Sequence, residues 1–151
     1  MQNSEEHLYD VNIKWKEGRI GVMSSEKLDD EIEVATPPEF PGGVEGIWSP
    51  EHLFTAAVSS CFMTSFTAIA EYSKFEFEDL DVESSGVMGK EDGKYVMSKV
   101  ILKPVLTIRD ESQFKKAHRV LEKAEQICLI TRSIKSEIEF RPEVRVLSLI
   151  D

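Results

Sequence analysis

The feature that most constrains this chain is a long segment, residues 49–70, that carries no Asp, Glu, Lys or Arg between Glu51 and Glu71. Its first residues, Ser49-Pro50-Glu51, are typical of a helix start. Serine accepts a backbone N–H at the N-cap, proline is tolerated at the first helical position, and glutamate favours the positive end of the helix dipole. Apolar residues then recur at three- and four-residue spacing, and the remaining face carries mainly Ser and Thr. The pattern predicts a central core helix that is buried on most sides.

Alternating apolar and polar residues predict short strands on both sides of this helix. Asp92-Gly93 predicts a hairpin turn, and Pro104, which cannot donate to a ladder, predicts a bulge or a sheet edge. A second helix is predicted from Asp110, followed by a short turn around residues 131–134. Its expected inward stripe consists of Phe114, Ala117, His118, Leu121, Ala124 and Cys128. The predicted strands are residues 9–15, 19–23, 31–34, 80–88, 95–102 with 105–108, 137–140 and 144–147.

The order of these elements is sheet, helix, hairpin, helix and strand, with no repeating βαβ unit. This order predicts an α+β fold. A chain of 151 residues has the usual size of one domain, so a single domain over residues 1–151 is expected.

Charge and composition narrow the function classes. A formal charge of -10 without a local Lys/Arg cluster argues against binding to nucleic acid or to an anionic membrane. No stretch is expected to be apolar over the roughly 18 residues that span a bilayer. The N-terminus has no basic region followed by an apolar run, so a cytoplasmic protein without a secretory signal is expected. His7, His52 and His118 are dispersed, and no metal or cofactor motif is present.

The two cysteines, Cys61 and Cys128, lie on the apolar stripes of the two predicted helices. Packing of these helices would let the thiols meet and pass between a dithiol and a disulfide. Buried cysteine is also common as an inert small hydrophobe, and the spacing alone favours that interpretation. A structural disulfide is the least favoured of the three, because no oxidising compartment is indicated.

The residues around Cys61 resemble a known family. The run Pro37-Pro38-Glu39-Phe40-Pro41-Gly42-Gly43, then Ser49-Pro50-Glu51-His52-Leu53-Phe54 ending at Cys61, is similar to the osmotically induced and organic hydroperoxide resistance proteins, the OsmC/Ohr superfamily. A second cysteine at the end of a later helix strengthens the resemblance, although Leu129 follows Cys128 where proline is frequent. The resemblance implies antiparallel sheets around two central helices in an intertwined homodimer.

The resemblance also implies a reaction. Cys61 would attack an organic hydroperoxide as a thiolate and become a sulfenic acid, and Cys128 would condense with it to a disulfide. An external dithiol, of the lipoyl type by resemblance, would then reduce this disulfide. The apolar side chains of Phe54, Phe62, Met63 and Phe66 would suit an organic peroxide, although such residues along a helix are usually core.

In that family an arginine paired with a glutamate activates the cysteine. Glu51 matches the glutamate and Arg19 is the best candidate for the arginine, with Arg132 and Arg109 as weaker ones. His52, where glutamine or glutamate is common, is placed to hydrogen-bond or titrate near Glu51. Cys61 comes ten residues after Glu51, which is about 15 Å along a straight helix. The arginine–glutamate pair can therefore reach Cys61 only if the helix is broken. Otherwise the pair acts on the cysteine of another subunit.

Two other functions remain open beside the peroxidase. One is a non-catalytic thiol switch or small-ligand-binding homodimer that uses the same pocket. The other is a purely structural dimer.

Overall fold

The computed structural model describes residues 5–147, which form two compact units. The first unit ends at Leu53 and the second begins at Phe54. The α+β class is confirmed, because strands and helices are segregated along the chain. The single domain over residues 1–151 stays a prediction.

The first unit contains a three-stranded antiparallel sheet in the order β1-β2-β3. Its strands are β1 (Asn12–Glu17), β2 (Ile20–Ser24) and β3 (Ile32–Ala35). The expected start of the first strand at residue 9 is wrong. Asn12 already pairs with Ser24, the last residue of the short strand β2, so residues 9–11 have no strand partner.

Helix α1 (Pro50–Tyr72) begins at the residue predicted from the sequence. The Ser49 hydroxyl accepts a hydrogen bond from the backbone N–H of His52 at 3.1 Å, which is the N-cap interaction. Ser49 itself is fully buried, so the cap bond satisfies a polar group that has lost its contact with water.

The expectation that this helix is buried on most sides is wrong for a single chain. Only one stripe at four-residue spacing is fully buried, namely Val58, Phe62, Phe66 and Ala70. The side chain of Met63 is 41% exposed. A single sheet contacts only one side of a helix, so it buries only a narrow stripe of helix residues.

By length and composition alone α1 is also long and apolar enough to span a membrane, with a mean hydropathy of 1.6 over an 18-residue window. The expectation that no segment reaches that size was therefore wrong. The core helix of a globular domain passes the same test, and Phe62 and Phe66 pack in the core of the second unit.

The second unit is built on the hairpin of β4 (Asp79–Glu91) and β5 (Lys94–Ile108). The predicted hairpin turn is confirmed. Asp92 and Gly93 have φ values of 52° and 77°, and positive φ at both central residues is what a two-residue type I′ turn requires.

Strand β5 is the central strand of a four-stranded sheet. It pairs antiparallel with β4 on one side and parallel with β6 (Glu137–Phe140) and β7 (Glu143–Val146) on the other. The sheet is thus mixed rather than purely antiparallel. Two helices lie between β5 and β6, and such a crossover is what returns a strand in the parallel direction.

The prediction that Pro104 marks a bulge or an edge is wrong. Pro104 is fully buried in the central strand and faces Val82 of β4 in regular register. On the opposite side, pairing with β6 ends at Leu102 and pairing with β7 begins at Val105. Pro104 falls in this gap between two strands, so its missing N–H leaves no bond to β6 or β7 unmade. The continuation of the strand over residues 105–108 is confirmed.

The second helical region starts with a 3-10 turn, Glu111–Gln113, which is capped by the Asp110 carboxylate. Helix α2 (Phe114–Ile127) follows, and a short helix α3 (Leu129–Arg132) comes directly after Cys128. Phe114 is 42% exposed, so its expected place on the inward stripe is wrong. It lies at the first residue of α2 and instead makes an edge contact with His118, at 4.8 Å between ring centroids.

The inward stripe of α2 consists of Ala117, Val120, Leu121 and Ala124, which recur at the three- and four-residue spacing of one helix face. Together with the buried residues of α1 and β5 they form a single hydrophobic cluster. This cluster fixes α1 and α2, and with them the two cysteines, within the second unit.

Candidate active site

Cys61 lies on α1 beside the buried stripe, next to Phe62 in sequence and half-buried. Two of the four apolar residues expected to line a peroxide pocket, Phe62 and Phe66, are fully buried core residues instead. Met63 is exposed and Phe54 packs at the margin of the core. The apolar residues of α1 therefore anchor Cys61 more than they line a cavity around it.

Cys128 occupies the junction between α2 and α3, and its side chain is only 2% exposed. Its backbone is extended, with φ -61° and ψ 117°, so the chain changes direction there. The Cys128 carbonyl accepts bonds from the Arg132 N–H at 3.3 Å and from the Thr131 hydroxyl at 3.0 Å. This fixed junction holds the Cys128 thiol in place.

The structure brings the two cysteines together. Both are free thiols, and they lie close enough for each to shift the pKa of the other. Their roles in catalysis stay a prediction, but the juxtaposition excludes the picture of two unrelated core cysteines. It is the arrangement needed to pass between a dithiol and a disulfide.

The surroundings give the two thiols opposite tendencies. Burial by itself raises the pKa of Cys61. Hydrogen bonds from the Ile130 N–H, the Cys128 thiol, the Leu129 N–H and the Ser65 hydroxyl outweigh burial and hold that pKa below its ordinary value.

Cys128 has the reverse balance. Burial raises the pKa of Cys128 above its ordinary value, and the negative charge of Cys61 raises it further. Hydrogen bonds from Thr131 offset only part of this rise. Cys61 is thus the thiol favoured as thiolate, and Cys128 the thiol that keeps its proton.

Three of the groups that act on Cys61 escaped the sequence interpretation. Ser65 follows Cys61 by four residues, the spacing that places two side chains on one helix face, and this signal was available. Leu129 and Ile130 act through backbone N–H groups, so their side chains carried no signal. Leu129 stands where the resemblance leads one to expect proline, and a proline at that position would have no N–H to donate.

Arg19 and Glu51 both lie in the first unit. Arg19 comes directly before β2 with an exposed side chain that packs over Gly42, where an added Cβ would lie 3.1 Å from Arg19 Nε. Glu51 is half-buried in the first turn of α1. Since α1 is unbroken from residue 50 to residue 72, the alternative of a break in the helix is wrong. That Arg19 and Glu51 act on the cysteine of another subunit stays a prediction.

The other candidate residues have local roles. Arg109 forms an ion pair with Glu78 at 2.8 Å, and Arg132 lies exposed in the last turn of α3. Neither is among the groups that lower the pKa of Cys61.

The His52 ring bonds through Nδ1 to the Ser49 hydroxyl at 2.7 Å. Among residues 5–147, no three His, Cys, Asp or Glu side chains are grouped so as to hold a metal ion.

Comparisons with known proteins place this chain in a family. The family model for OsmC-like proteins matches residues 43–143. The chain is 30% identical over 148 residues to the uncharacterized protein YmaD of Bacillus subtilis, covering 95% of this chain and 96% of YmaD. It is 28% identical over 141 residues to the organic hydroperoxide resistance protein-like 2 of Staphylococcus saprophyticus, covering 92% of this chain and 96% of that protein.

A solved structure agrees with these relatives. The OsmC-like protein of unknown function from Vibrio cholerae has a TM-score of 0.80 at 23% identity, covering 91% of this chain and 99% of its own. The similarity in sequence and fold confirms the resemblance recognised from the residues around Cys61. The chain belongs to the family of OsmC-like proteins, in the OsmC/Ohr superfamily.

Proposed function

We propose that this protein is a thiol-dependent peroxidase that reduces organic hydroperoxides through Cys61 and Cys128. The observation that carries the proposal is the pair of free, neighbouring thiols whose pKa values are shifted in opposite directions. The name of the staphylococcal relative supports organic hydroperoxides as the substrate class. Two reduced thiols also suit the reducing cytoplasm, the compartment proposed for this chain.

The proposed reaction begins with the Cys61 thiolate, which attacks the terminal oxygen of the hydroperoxide. The O–O bond breaks, Cys61 becomes a sulfenic acid, and the departing alkoxide takes up a proton and leaves as an alcohol. The peroxide gains the two electrons that the sulfur loses. A lowered pKa matters here because the thiolate, and not the thiol, is the nucleophile.

Cys128 then resolves the sulfenic acid. Its sulfur gives up its proton and attacks the Cys61 sulfur, the S–S bond forms, the S–O bond breaks and the hydroxide leaves as water. The mutual influence of the two thiols on their pKa values supports a direct condensation of this kind. An external dithiol, of the lipoyl type by resemblance, restores the two thiols by exchange and itself becomes a disulfide.

Stopped-flow mixing of the reduced protein with cumene hydroperoxide tests the proposal. We expect rapid loss of both thiols, one intramolecular disulfide per chain and continued turnover when dihydrolipoamide is supplied. A thiol switch is the second candidate, since the same pair would oxidise once without sustained turnover. A small-ligand-binding protein would consume no peroxide at all.

We also propose a homodimer, because most of α1 outside its buried stripe is half-buried or exposed in a single chain. Only 22% of its most apolar window is buried, which leaves an apolar helix face for a second copy to cover. Light scattering is expected to give twice the chain mass of 17.1 kDa. A folded monomer at sub-micromolar concentration would contradict the dimer and the site shared between subunits.

For Arg19 and Glu51 we propose the roles that the resemblance implies. A guanidinium is permanently charged and can hold a carboxylate on one edge while it faces a sulfur with another. Arg19→Ala is therefore expected to slow peroxide reduction at neutral pH and to shift its pH dependence upward. Glu51→Ala is expected to slow the reaction with a smaller pH effect, through lost positioning of the arginine.

The measurement is the pH profile of peroxide reduction and of Cys61 alkylation in each variant. Arg109→Ala is the matched control, because that arginine is paired with Glu78. An unchanged profile in Arg19→Ala would show that another arginine acts, and Arg132→Ala would be tested next.

A further inference from the structure

The second unit contains a small cavity between the end of α1 and one face of α2. Its volume is about 240 Å³, which is below the roughly 300–1,000 Å³ of sites for drug-sized ligands. Part of its wall is apolar, because Val120 is only 4% exposed and Ile69 packs against the hydrophobic cluster. The residues that line the cavity are Ile69, Ser73, Lys116, Arg119, Val120 and Lys123.

Among the described residues that line this cavity, three are cations and none is acidic. Lys116, Arg119 and Lys123 follow one another at three- and four-residue spacing, which places them on one face of α2. Within residues 5–147, none of the three forms an ion pair. Glu122, the adjacent acid on the helix, is exposed and does not line the cavity. The expectation of a chain without a local Lys/Arg cluster is therefore wrong at this face of α2.

The fold accounts for one of these three cations. Lys116 Nζ donates a hydrogen bond to the Ser73 carbonyl at 2.9 Å, just beyond the end of α1, where the helix dipole favours a positive charge. Arg119 and Lys123 have no comparable contact within the described residues. Like charges at this spacing repel one another and destabilise a helix. An anion placed among the three cations would replace this repulsion with attraction.

We propose that this cavity binds a small organic phosphate, and that Arg119 and Lys123 are its anion-binding residues. The planar guanidinium of Arg119 can donate to two phosphate oxygens at once, while each lysine ammonium acts as a point charge. A phosphate monoester carries close to two negative charges at neutral pH, which suits three cations better than a single carboxylate does. A compact apolar group on the ester would then lie against Ile69 and Val120.

The geometry favours a small ligand over a nucleic acid. A cavity of this volume admits one phosphate group with a compact apolar body, whereas nucleic-acid binding depends on several phosphate contacts along an extended surface. The formal charge of -10 also repels a polyanion. The local cluster and the overall charge are therefore compatible with a small anion only.

The site is independent of the peroxidase function. Ile69 comes eight residues after Cys61, which is about 12 Å along α1. Over that distance the effect of an exposed charge is largely screened at physiological salt concentration. A bound phosphate is thus expected to leave the alkylation of Cys61 unchanged.

Titration of the intact, 15N-labelled protein with phenyl phosphate, followed by NMR, tests the site. We expect saturable shifts at residues 69–73 and 116–123, with a Kd of about 1 mM or below at low salt. Inorganic phosphate has the charge without the ring and should bind several-fold more weakly. Phenol has the ring without the charge and should not shift these residues. Added sodium chloride should weaken the binding of phenyl phosphate, since the cations are partly exposed.

Arg119→Gln and Lys123→Gln each remove one charged donor from the cavity. Each is expected to weaken phenyl phosphate binding about tenfold, because a hydrogen bond between charged groups is lost. Lys115→Gln is the matched control, since it makes the same change of charge on the same helix but does not line the cavity. It should bind like the parent protein. Thermal unfolding without phenyl phosphate should show no loss of stability in any of the three variants, because no ion pair is broken.

Parental affinity in both Arg119→Gln and Lys123→Gln would overturn the site. So would equal weakening in Lys115→Gln, which would indicate a response to net charge alone, and so would shifts that do not saturate. Equal affinity for inorganic phosphate would overturn the organic part of the ligand class. A changed rate of Cys61 alkylation in the presence of phenyl phosphate would place the anion at the thiols instead. None of these measurements depends on peroxide turnover, so this site and the peroxidase function fail separately.

Discussion

Cys61→Ser is expected to abolish the consumption of organic hydroperoxide, because a serine hydroxyl does not ionise near neutral pH and cannot replace the thiolate. The parent protein should lose two thiols for each peroxide reduced. Stopped-flow peroxide consumption with excess dithiol measures the effect. Peroxide consumption by Cys61→Ser at the parental rate would contradict the mechanism.

Cys128→Ser is the matched control for this variant. The Cys61 nucleophile is intact there, so one equivalent of peroxide should still be reduced. The product should be a Cys61 sulfenic acid that a dimedone probe traps, because no second thiol is present to close the disulfide. Parent-like peroxide turnover by this variant would show that Cys128 is not needed to resolve the sulfenic acid.

Gly86→Ala is expected to destabilise the second unit by overpacking. Gly86 lies on β4, close to Thr55 of α1. A Cβ added there would overlap the Thr55 hydroxyl and lie 2.8 Å from the Met97 methyl group. The methyl group can move at the end of a flexible side chain, but Thr55 is carried on the helix. We expect a loss of about 1–3 kcal/mol in the free energy of unfolding.

The same strand supplies the control. A Cβ at Gly89 would have the Ser98 hydroxyl as its nearest neighbour at 3.5 Å, an ordinary contact, so Gly89→Ala should be nearly neutral. Denaturant unfolding of both variants measures the difference. Adding Thr55→Ala to Gly86→Ala should restore part of the loss, and a double-mutant cycle gives the coupling. Equal stabilities of the two alanine variants would refute the close contact.

Local signals in the sequence were sufficient for much of the fold. Ser49-Pro50 gave the start of α1 because an N-cap and a proline at the first helical position act through adjacent residues. Asp92-Gly93 likewise predicts the hairpin turn from two adjacent residues. The first strand was misplaced because its length depends on β2, its partner, and not on its own alternation.

The errors and omissions have a common physical cause, which is dependence on residues distant in sequence. Pro104 is central because two separate strands pair on either side of it, and this arrangement leaves no local trace. The meeting of Cys61 with Cys128 was one of several possibilities until helix packing was known. The two backbone donors at the start of α3 are independent of residue type unless that residue is proline, so composition and pattern do not reveal them.

The position of β5 also governs how the chain is completed during synthesis. One edge of this 15-residue strand is covered only by β6 and β7, whose residues are made near the end of translation. A nascent chain that has just passed Cys128 carries both thiols but leaves that edge without partners. Unpaired strand edges invite association with other chains. The interval between synthesis of Ile108 and synthesis of Val146 is therefore the stage at which a chaperone would benefit this protein most.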